Sequence, residues 1–432
     1  MKTYYFAEIE EVVFQERLAN GLQITIVPKP NHHTVHGVLS VACGSVHRHL
    51  QHRHDGRLVQ LPAGVAHFLE HKMFEGANGV DAFQLFAEQG AMANAFTSYT
   101  QTNYVFSAPI NIEQNILTLL DVVQQAYFTP SGVAKEKGII QQELLMYEDA
   151  PYAKGYQILL GNLYPNHPVG EDILGTLEAI EAMTFADLQL CFRECYRPDN
   201  MRLIIVGNVD ATAIVEMIQA HQQARELLPT EFTIVPPLTA EFPIINEARL
   251  YLDVSQPVVM LGIRCCPLGT ESNVLRSYLI LDVLAEMLLG PTSKNYHKWY
   301  QAQLLDASFA LNTAADTLMH HVTLEAATDS PDELLDSWQE VFATWRQQPD
   351  LNAEHFAAVV RGRIGDLLRE LDNLEGVAAE FAECLQYGYT PFEVLNDLQQ
   401  LTYSDITAYA EQYLTQVALS WVTILPLNEQ KV

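Results

Sequence analysis

The sequence predicts an α+β protein made of two related domains, and three observations lead to this prediction. Short apolar runs bounded by Pro and Gly alternate with longer segments that have the periodicity of helices. A short pattern of the first half returns in the second half at a fixed offset. With 432 residues, 49% of them hydrophobic and 18% charged, the chain has the length of more than one domain and the composition of a folded protein.

The first half contains both kinds of element. Strands are predicted at 22–27, which ends at Pro28, at 37–43, and at the apolar run 202–207. Helices are predicted from the spacing of apolar residues at 65–75, 81–89, 112–127, 131–148, 170–181, 185–196 and 211–224. Strands and helices are therefore mixed within one half of the chain.

The second half repeats part of the first. Thr184–Leu188 matches Thr402–Ile406 at an offset of 218 residues, and the same offset places Leu203–Val206 on Trp421–Ile424. In each half a Thr that can cap a helix is followed, after the helix, by an apolar strand. The pattern indicates a duplicated domain of about 200 residues.

Domain boundaries follow from the prolines between the two copies. The stretch 229–243 carries Pro229, Pro236, Pro237 and Pro243, and prolines both interrupt secondary structure and stiffen connections. We predict a first domain at 1–228, a linker at 229–243 and a second domain at 244–432.

The composition excludes several classes of partner. Lys and Arg number 24 against 53 Asp and Glu, so the net charge of −29 disfavours nucleic acid and anionic membranes. No run approaches the ~20 apolar residues of a membrane span, and the N-terminus lacks the apolar core of a signal peptide. The six cysteines form no pair of metal-binding pairs, so we expect reduced, packed thiols in a cytoplasmic protein.

A His-rich stretch, His47 to Gly64, lies before the first strong helix. Its histidines at 47, 49, 52 and 54 could bind a metal ion, but the Arg and Gly residues among them indicate a loop without fixed geometry. We therefore expect a loop and not a metal site.

The strongest chemical pattern is His67-Phe68-Leu69-Glu70-His71. Positions i, i+3 and i+4 of a helix share one face, so His67, Glu70 and His71 lie together while Val65, Phe68 and Leu69 face a core. Two imidazoles one turn apart can hold a metal ion, and the carboxyl group beside them can take a proton from a water molecule. The order H-x-x-E-H is the inverse of the common metalloprotease order.

A catalytic zinc ion needs a third protein ligand from elsewhere in the chain. Glu136 and Glu143 are seven residues apart on a predicted helix and therefore share one face. One of them can bind the metal ion while the other supports a ligand. The alternative is that both are ordinary surface acids of an acidic protein.

Several stretches carry a resemblance to a known family. The segment Pro62–Gly76, the segment Ala93–Thr97 with Thr102–Tyr104 after it, Glu136–Glu143, and Pro198–Asp210 occur in this order. In these residues the chain resembles the pitrilysin/insulinase family of zinc peptidases, closest to the bacterial YmfH-like subgroup. The resemblance implies two similar domains, each a mainly antiparallel sheet backed by helices, that together form half of a clamshell.

The resemblance also implies roles for individual residues. His67 and His71 would be zinc ligands, Glu70 the general base, Glu143 the third ligand and Glu136 a supporting acid. A further pair, Asn94 and Ala95, falls on the edge strand that binds substrate backbone in the family. Strand addition of this kind tolerates many substrate sequences.

The second half differs from the first at the positions of the predicted metal ligands. Laying Gly76 on Gly290 places Leu281, Leu284 and Ala285 opposite His67, Glu70 and His71, so the second copy lacks metal ligands. Family members also carry an Arg and a Tyr in the second domain, and this chain has Gln301 and Ala307 at the corresponding places.

The sequence therefore predicts a Zn2+-dependent endopeptidase that cleaves peptides or unfolded segments inside a dimeric chamber. The dimer would be a homodimer, or a heterodimer with a related chain that lacks the zinc motif and supplies the missing Arg and Tyr. The alternative from another class is a non-catalytic scaffold subunit of a processing complex, because the family contains such members. A third alternative is a role in the maturation of one specific partner protein.

Overall fold

The computed structural model describes residues 1–76, 80–223, 225, 230–237, 244–268 and 273–429. The chain divides into two compact units, and each unit is assembled from three separate segments. The first comprises 1–144, 172–237 and 369–392, and the second comprises 145–171, 238–368 and 393–432. The units differ from the continuous domains predicted from the sequence, because each half of the chain contributes one segment to the other unit.

The first unit contains two sheets. Its strands are β1 (Lys2–Phe6), β2 (Glu11–Arg17), β3 (Gln23–Pro28), β4 (Val35–Val41), β5 (His49–His52), β6 (Leu58–Gln60), β7 (Met92–Thr97), β8 (Thr102–Ala108), β9 (Met201–Gly207) and β10 (Phe232–Val235). Seven of them form one sheet in the order β1-β2-β3-β9-β4-β8-β7. Only β3 and β9 pair in parallel, so the sheet is mainly antiparallel, as predicted.

The second sheet of this unit corrects two expectations. Its order is β10-β5-β6, so part of the His-rich stretch is a hairpin and not a loop. Leu50 anchors β5 in the core with no exposed surface, which explains why the stretch is ordered. Strand β10 lies inside the predicted linker 229–243, whose residues 229 and 238–243 are outside the described residues.

Eight helices are described in the first half of the chain: α1 (Val65–Met73), α2 (Ala82–Glu88), α3 (Ile112–Gln124), α4 (Pro130–Glu148), α5 (Pro151–Leu163), α6 (Leu177–Ala182), α7 (Phe185–Cys195) and α8 (Ala211–Gln223). The predicted last residue of α8, 224, is outside the described residues. Helix α5 was not predicted. The predicted helix 170–181 is wrong over most of its length, because Gly175 has a φ of +87° and adjoins the carbonyl oxygen of Ala63. The helix therefore begins only at Leu177, after the capping residue Thr176.

The second unit has one five-stranded sheet. Its strands are β11 (Glu247–Leu252), β12 (Val258–Arg264), β13 (Ala310–Ala315), β14 (His320–Ala327) and β15 (Ala418–Pro426), in the order β11-β15-β12-β14-β13. The remaining helices are α9 (Val274–Leu289), α10 (Lys294–Gln301), α11 (Pro331–Ala343), α12 (Ala353–Glu370), α13 (Leu374–Leu385), α14 (Pro391–Gln400) and α15 (Tyr403–Tyr413). Within the part of the chain that is described, no helix is long and apolar enough to cross a membrane.

The two large sheets share one topology. In the first, β9 lies between its parallel partner β3 and its antiparallel partner β4. In the second, β15 lies in the same way between β11 and β12. Thr184 and Thr402 each form a complete capping box with the Asp three residues later. The duplication predicted from the sequence is therefore confirmed.

Two helices each pack in the unit that is formed mainly by the other half of the chain. Helix α5, from the first half, packs on β12 and β15 of the second unit. Helix α13, from the second half, packs on β4 and β9 of the first unit. These contacts join segments that are distant in the sequence, and they explain why each unit is made of separate segments.

Candidate metal centre

Helix α1 presents the H-x-x-E-H side chains on one face. Val65, Phe68 and Leu69 are at most 2% exposed and fix the opposite face in the core, as predicted. The helix follows Gly64, whose φ of +80° no L side chain adopts without strain. A Cβ atom at Gly64 would also lie 2.0 Å from the carbonyl oxygen of Leu174. The start of the helix is thus fixed by close backbone packing.

Glu143 of α4 joins the two imidazoles. Its Oε2 lies 3.3 Å from Nε2 of His71 and 3.7 Å from Nε2 of His67. One donor atom from each residue can be chosen so that all three lie within 4.8 Å of one another. Zinc binds imidazole nitrogen and carboxylate oxygen at about 2.0–2.2 Å, so ligands of a tetrahedral ion are separated by about 3.3–3.5 Å. The donor set and its spacing therefore fit a zinc ion.

Glu136 occupies a different position from Glu143. Its Oε1 accepts a hydrogen bond from Nδ1 of His71 at 3.2 Å. Its Oε2 accepts one from the ammonium group of Lys72 at 3.3 Å, and Lys72 is also ion-paired with Glu75. A carboxylate that accepts a hydrogen bond from one ring nitrogen of a metal-binding histidine orients the ring. The other nitrogen is then available for the metal ion. The helix spacing alone left open which acid faces the metal, and the family resemblance implied Glu143. The geometry brings Glu143 to both imidazoles.

Glu70 is buried beside these residues and interacts with strand β7. The hydroxyl of Thr97 donates a hydrogen bond to Oε2 of Glu70 at 2.5 Å. Burial raises the pKa of Glu70 above its ordinary value, and the Thr97 bond partly opposes this rise. Sequence reasoning did not assign Thr97 to the site, although its place in the Ala93–Thr97 motif was the available sign.

The two histidines differ in proton affinity. Burial and the neighbouring His71 lower the pKa of His67 to about 4, although Glu143 opposes this change. Burial also acts to lower the pKa of His71, but its hydrogen bonds to Glu136 and Glu143 outweigh burial and raise it to about 9. The same bond to His71, acting against burial, lowers the pKa of Glu143. The two carboxylates of α4 therefore stabilise positive charge at His71.

Asn94 and Ala95 lie on β7, the last strand of the large sheet in its described order. Asn94 is exposed, and its side-chain oxygen accepts a hydrogen bond from the backbone N–H of Ala95. Both residues line a groove of about 640 Å³ that also contacts Glu70, His71 and Glu136. An open strand edge thus borders the candidate metal centre.

Among the described residues, two groups of three or more side chains are close enough to share a metal ion. One consists of His67, His71 and Glu143, and the other consists of Cys43, Cys191 and Cys195. The His-rich stretch contributes no such group within the described part of the chain.

The fold and this donor set resemble those of metallopeptidases with the inverted motif, and sequence comparison identifies the family. Residues 24–177 match the description "Insulinase (Peptidase family M16)", and residues 182–362 match "Peptidase M16 inactive domain". The chain belongs to the insulinase family, peptidase family M16. The second match agrees with the loss of metal ligands from the second copy.

Individual relatives cover nearly the whole chain. The uncharacterized zinc protease YmfH of Bacillus subtilis (strain 168) is 32% identical over 99% of both chains. A solved M16-like structure from Alicyclobacillus acidocaldarius is 30% identical, with a TM-score of 0.89 over 96% of this chain and 98% of that one. A protease from Helicobacter pylori shares the fold at 19% identity, with a TM-score of 0.79 over 96% of this chain and 99% of that one. The resemblance stated from the sequence is confirmed.

Proposed function

We propose that the chain is a zinc-dependent endopeptidase whose metal ligands are His67, His71 and Glu143. The observation that carries this proposal is the convergence of the three donor side chains beside a buried carboxyl group. Their separations fit a tetrahedral ion, and Glu70 lies on the same face of α1. Relatives named zinc proteases support the choice of metal.

In this proposal the chain's own residues hold the reacting groups and move one proton. A zinc ion in this centre would supply Lewis acidity and lower the pKa of a water molecule toward ~7. Glu70 accepts a proton from the attacking water while the water oxygen bonds to the scissile carbonyl carbon. The carbon–nitrogen bond then breaks, and Glu70 returns the proton to the leaving amine. Glu136 keeps His71 oriented throughout.

We assign substrate binding to strand β7. An edge strand offers unpaired backbone groups, so an extended peptide can add to the sheet next to the metal centre. Asn94 and Ala95 both border the groove that reaches Glu70 and His71. This arrangement supports peptides or unfolded segments as substrates, since the substrate must be extended to pair with β7.

The second unit supports a role for a partner chain. Gln301 ends α10 and is exposed, and Ala307, in the segment before β13, has no polar side-chain atom. These are the two places where the family resemblance implies Arg and Tyr. We propose that a related chain without H-x-x-E-H pairs with this one, closes the chamber and supplies these donors, with a homodimer as the other arrangement. If mixing the two purified chains gives no gain in peptide hydrolysis, the heterodimer is excluded.

We further propose that the protein acts in the cytoplasm. All six of its cysteines are free thiols, and five of them are buried. Free thiols are typical of a reducing compartment, whereas disulfides form and persist in oxidising compartments. Locating the tagged protein by cell fractionation tests this assignment, and recovery outside the cytoplasm would contradict it.

The decisive experiment separates catalysis from metal binding. In Glu70→Gln the protein should keep its zinc but hydrolyse a fluorogenic peptide about 10²–10⁴-fold more slowly, because the general base is lost. Glu88→Gln is the matched control, since Glu88 is exposed on α2 and remote from the metal ligands in sequence. Wild-type turnover in Glu70→Gln would refute the assignment of the base.

A scaffold role is the second candidate, and the absent Arg and Tyr favour it. The two candidates differ in a simple measurement on the purified chain, alone and with its partner. An endopeptidase holds stoichiometric zinc at His67, His71 and Glu143 and loses peptide hydrolysis when a chelator is added. A scaffold subunit shows no chelator-sensitive hydrolysis in either preparation.

A further inference from the structure

Three cysteines that play no part in the proposed reaction meet in the core of the first unit. Cys191 and Cys195 are one turn apart on α7, and Cys43 lies just after β4. All three are fully buried, and the sulfur atoms of Cys43 and Cys191 are 4.0 Å apart. The three sulfur atoms all lie within 4.8 Å of one another. This cluster brings together residues that are 148 positions apart in the chain.

The backbone around the cluster is held by bonds that do not involve the thiols. The side-chain amide of Asn200 donates to the carbonyl oxygens of both Ala42 and Cys195, at 3.2 and 2.9 Å. The hydroxyl of Thr102 donates to the carbonyl oxygen of Cys43 at 2.8 Å. One side chain therefore links the strand end to the end of α7. Supporting contacts of this kind hold ligands in place before an ion binds.

The residue after Cys43 adds a second restraint. A Cβ atom at Gly44 would lie 2.5 Å from the carbonyl oxygen of Ser98, so only glycine fits there. The backbone N–H of Ser45 donates to that same oxygen at 3.0 Å. The backbone after Cys43 thus packs closely against the turn that follows β7. This packing restricts movement of Cys43 away from α7.

The cluster is also electrostatically unusual. Hydrogen bonds from the thiols of Cys191 and Cys195 hold the pKa of the Cys43 thiol well below its usual range, against the effect of burial. The surroundings are the apolar core of the unit. The three sulfur atoms therefore face one another within an apolar core.

We propose that Cys43, Cys191 and Cys195 form a second metal site, which binds one soft ion of the thiolate-seeking class, Zn2+ or Cu+. Thiolate sulfur selects these ions over hard cations such as Mg2+ and Ca2+. Zinc–sulfur bonds of about 2.3 Å place two sulfurs of a tetrahedral site about 3.8 Å apart. The separation of Cys43 and Cys191 is close to this value, and no pair needs to close by more than about 1 Å. Binding releases the remaining thiol protons to solvent.

The site is structural and independent of the proposed peptidase centre. Helix α7 packs against α1, the helix that carries His67, Glu70 and His71. An ion that links α7 to the end of β4 therefore stabilises the helix against which α1 packs. Because the sulfur atoms are buried, the ion enters as the chain folds.

Cobalt gives a test that needs no variant. Protein purified from cells grown with added Co2+ should show the near-ultraviolet absorption of sulfur-to-cobalt charge transfer, which a centre of two histidines and a glutamate cannot produce. Absence of that band, with all six thiols reactive in the unfolded chain, would overturn the proposal. A mass two daltons lower, from a disulfide between Cys43 and Cys191, would overturn it equally.

Counting metal ions per chain completes the test. Protein from cells grown with added zinc or with added copper should lose one equivalent of one of these ions in Cys191→Ser and in Cys195→Ser. Cys265→Ser should lose none, since Cys265 is buried in the second unit and belongs to no such group among the described residues. His67→Ala should lose a different equivalent and keep the cobalt–sulfur band. Equal metal content in the wild type and both cysteine variants would refute the second site, whatever His67→Ala does.

Discussion

The hydroxyl of Thr97 donates a hydrogen bond to Oε2 of Glu70, at an oxygen–oxygen distance of 2.5 Å. This bond joins the strand that borders the substrate groove to the proposed general base. A hydrogen bond to a charged acceptor contributes about 1.5–3 kcal/mol, and 1.36 kcal/mol corresponds to one pH unit. The bond therefore contributes to the pH at which Glu70 becomes a base, opposing the effect of burial.

Replacing Thr97 by Val should move the activity profile. The bond stabilises the ionised carboxylate and lowers its pKa, so its loss raises the pKa. We expect the acidic limb of kcat/KM against pH to move upward by about 1 pH unit. Thr118→Val is the control, since Thr118 is also hydrogen-bonded but lies on α3 and contacts Gln89. An unchanged acidic limb in Thr97→Val would show that Thr97 does not affect the pKa of the general base.

Replacing Glu136 by Gln should weaken metal binding without removing a ligand. The carboxylate accepts the Nδ1 proton of His71, and such partners contribute about 10–100-fold to metal affinity. Competition with a chromophoric chelator measures this loss. Glu148→Gln, an exposed change on the same helix, should leave the affinity unchanged. A loss as complete as that in Glu143→Gln would mean that Glu136 is itself a ligand.

Gly64 offers a test of the packing that fixes the start of α1. Gly64→Ala places a Cβ atom 2.0 Å from a backbone oxygen at a φ of +80°, and should lower the free energy of unfolding by about 3 kcal/mol or more. Gly388→Ala is matched, because its φ is +84° but nothing lies within 4 Å. Its cost should be only the backbone strain of about 1–2 kcal/mol. Equal losses in chemical denaturation would contradict the close approach.

Two histidines of the second unit make its stability depend on pH. Burial lowers the pKa of His320 to about 4, and burial with His320 and Arg264 nearby lowers that of His321 to about 3. Below pH 6.5 the unfolded chain binds protons that the folded chain does not. The free energy of unfolding should therefore be constant, as far as these groups decide it, above pH 6.5. Below pH 6.5 the free energy of unfolding should fall by up to about 1.4 kcal/mol per pH unit for each histidine.

Tryptophan fluorescence can follow this change, since Trp299, Trp338, Trp345 and Trp421 all belong to the second unit. In denaturation between pH 7 and 5, His321→Gln should show a smaller fall than the wild type. His33→Gln, at an exposed position, should show all of it. A wild-type stability that does not change between these pH values would refute the prediction.

Local geometry explains what could be predicted from the sequence. The spacing of His67, Glu70 and His71 and that of Glu136 and Glu143 fix shared helix faces, because the helix period is constant. The Thr–Asp spacing at 184 and 402 likewise determined two capping boxes. The helix predicted through Gly175 failed because a contact with Ala63, over 100 residues away in the chain, holds that glycine in a left-handed conformation.

The sequence by itself determined the family, the α+β class, the duplication and the helix face that carries the candidate metal ligands. Only the tertiary structure decided that Thr97 contacts Glu70 and that Cys43 meets the thiols of α7. It also decided which unit receives α5 and α13. The physical reason is that helix and strand periodicity act over a few residues, whereas these contacts depend on the packing of distant segments around shared cores.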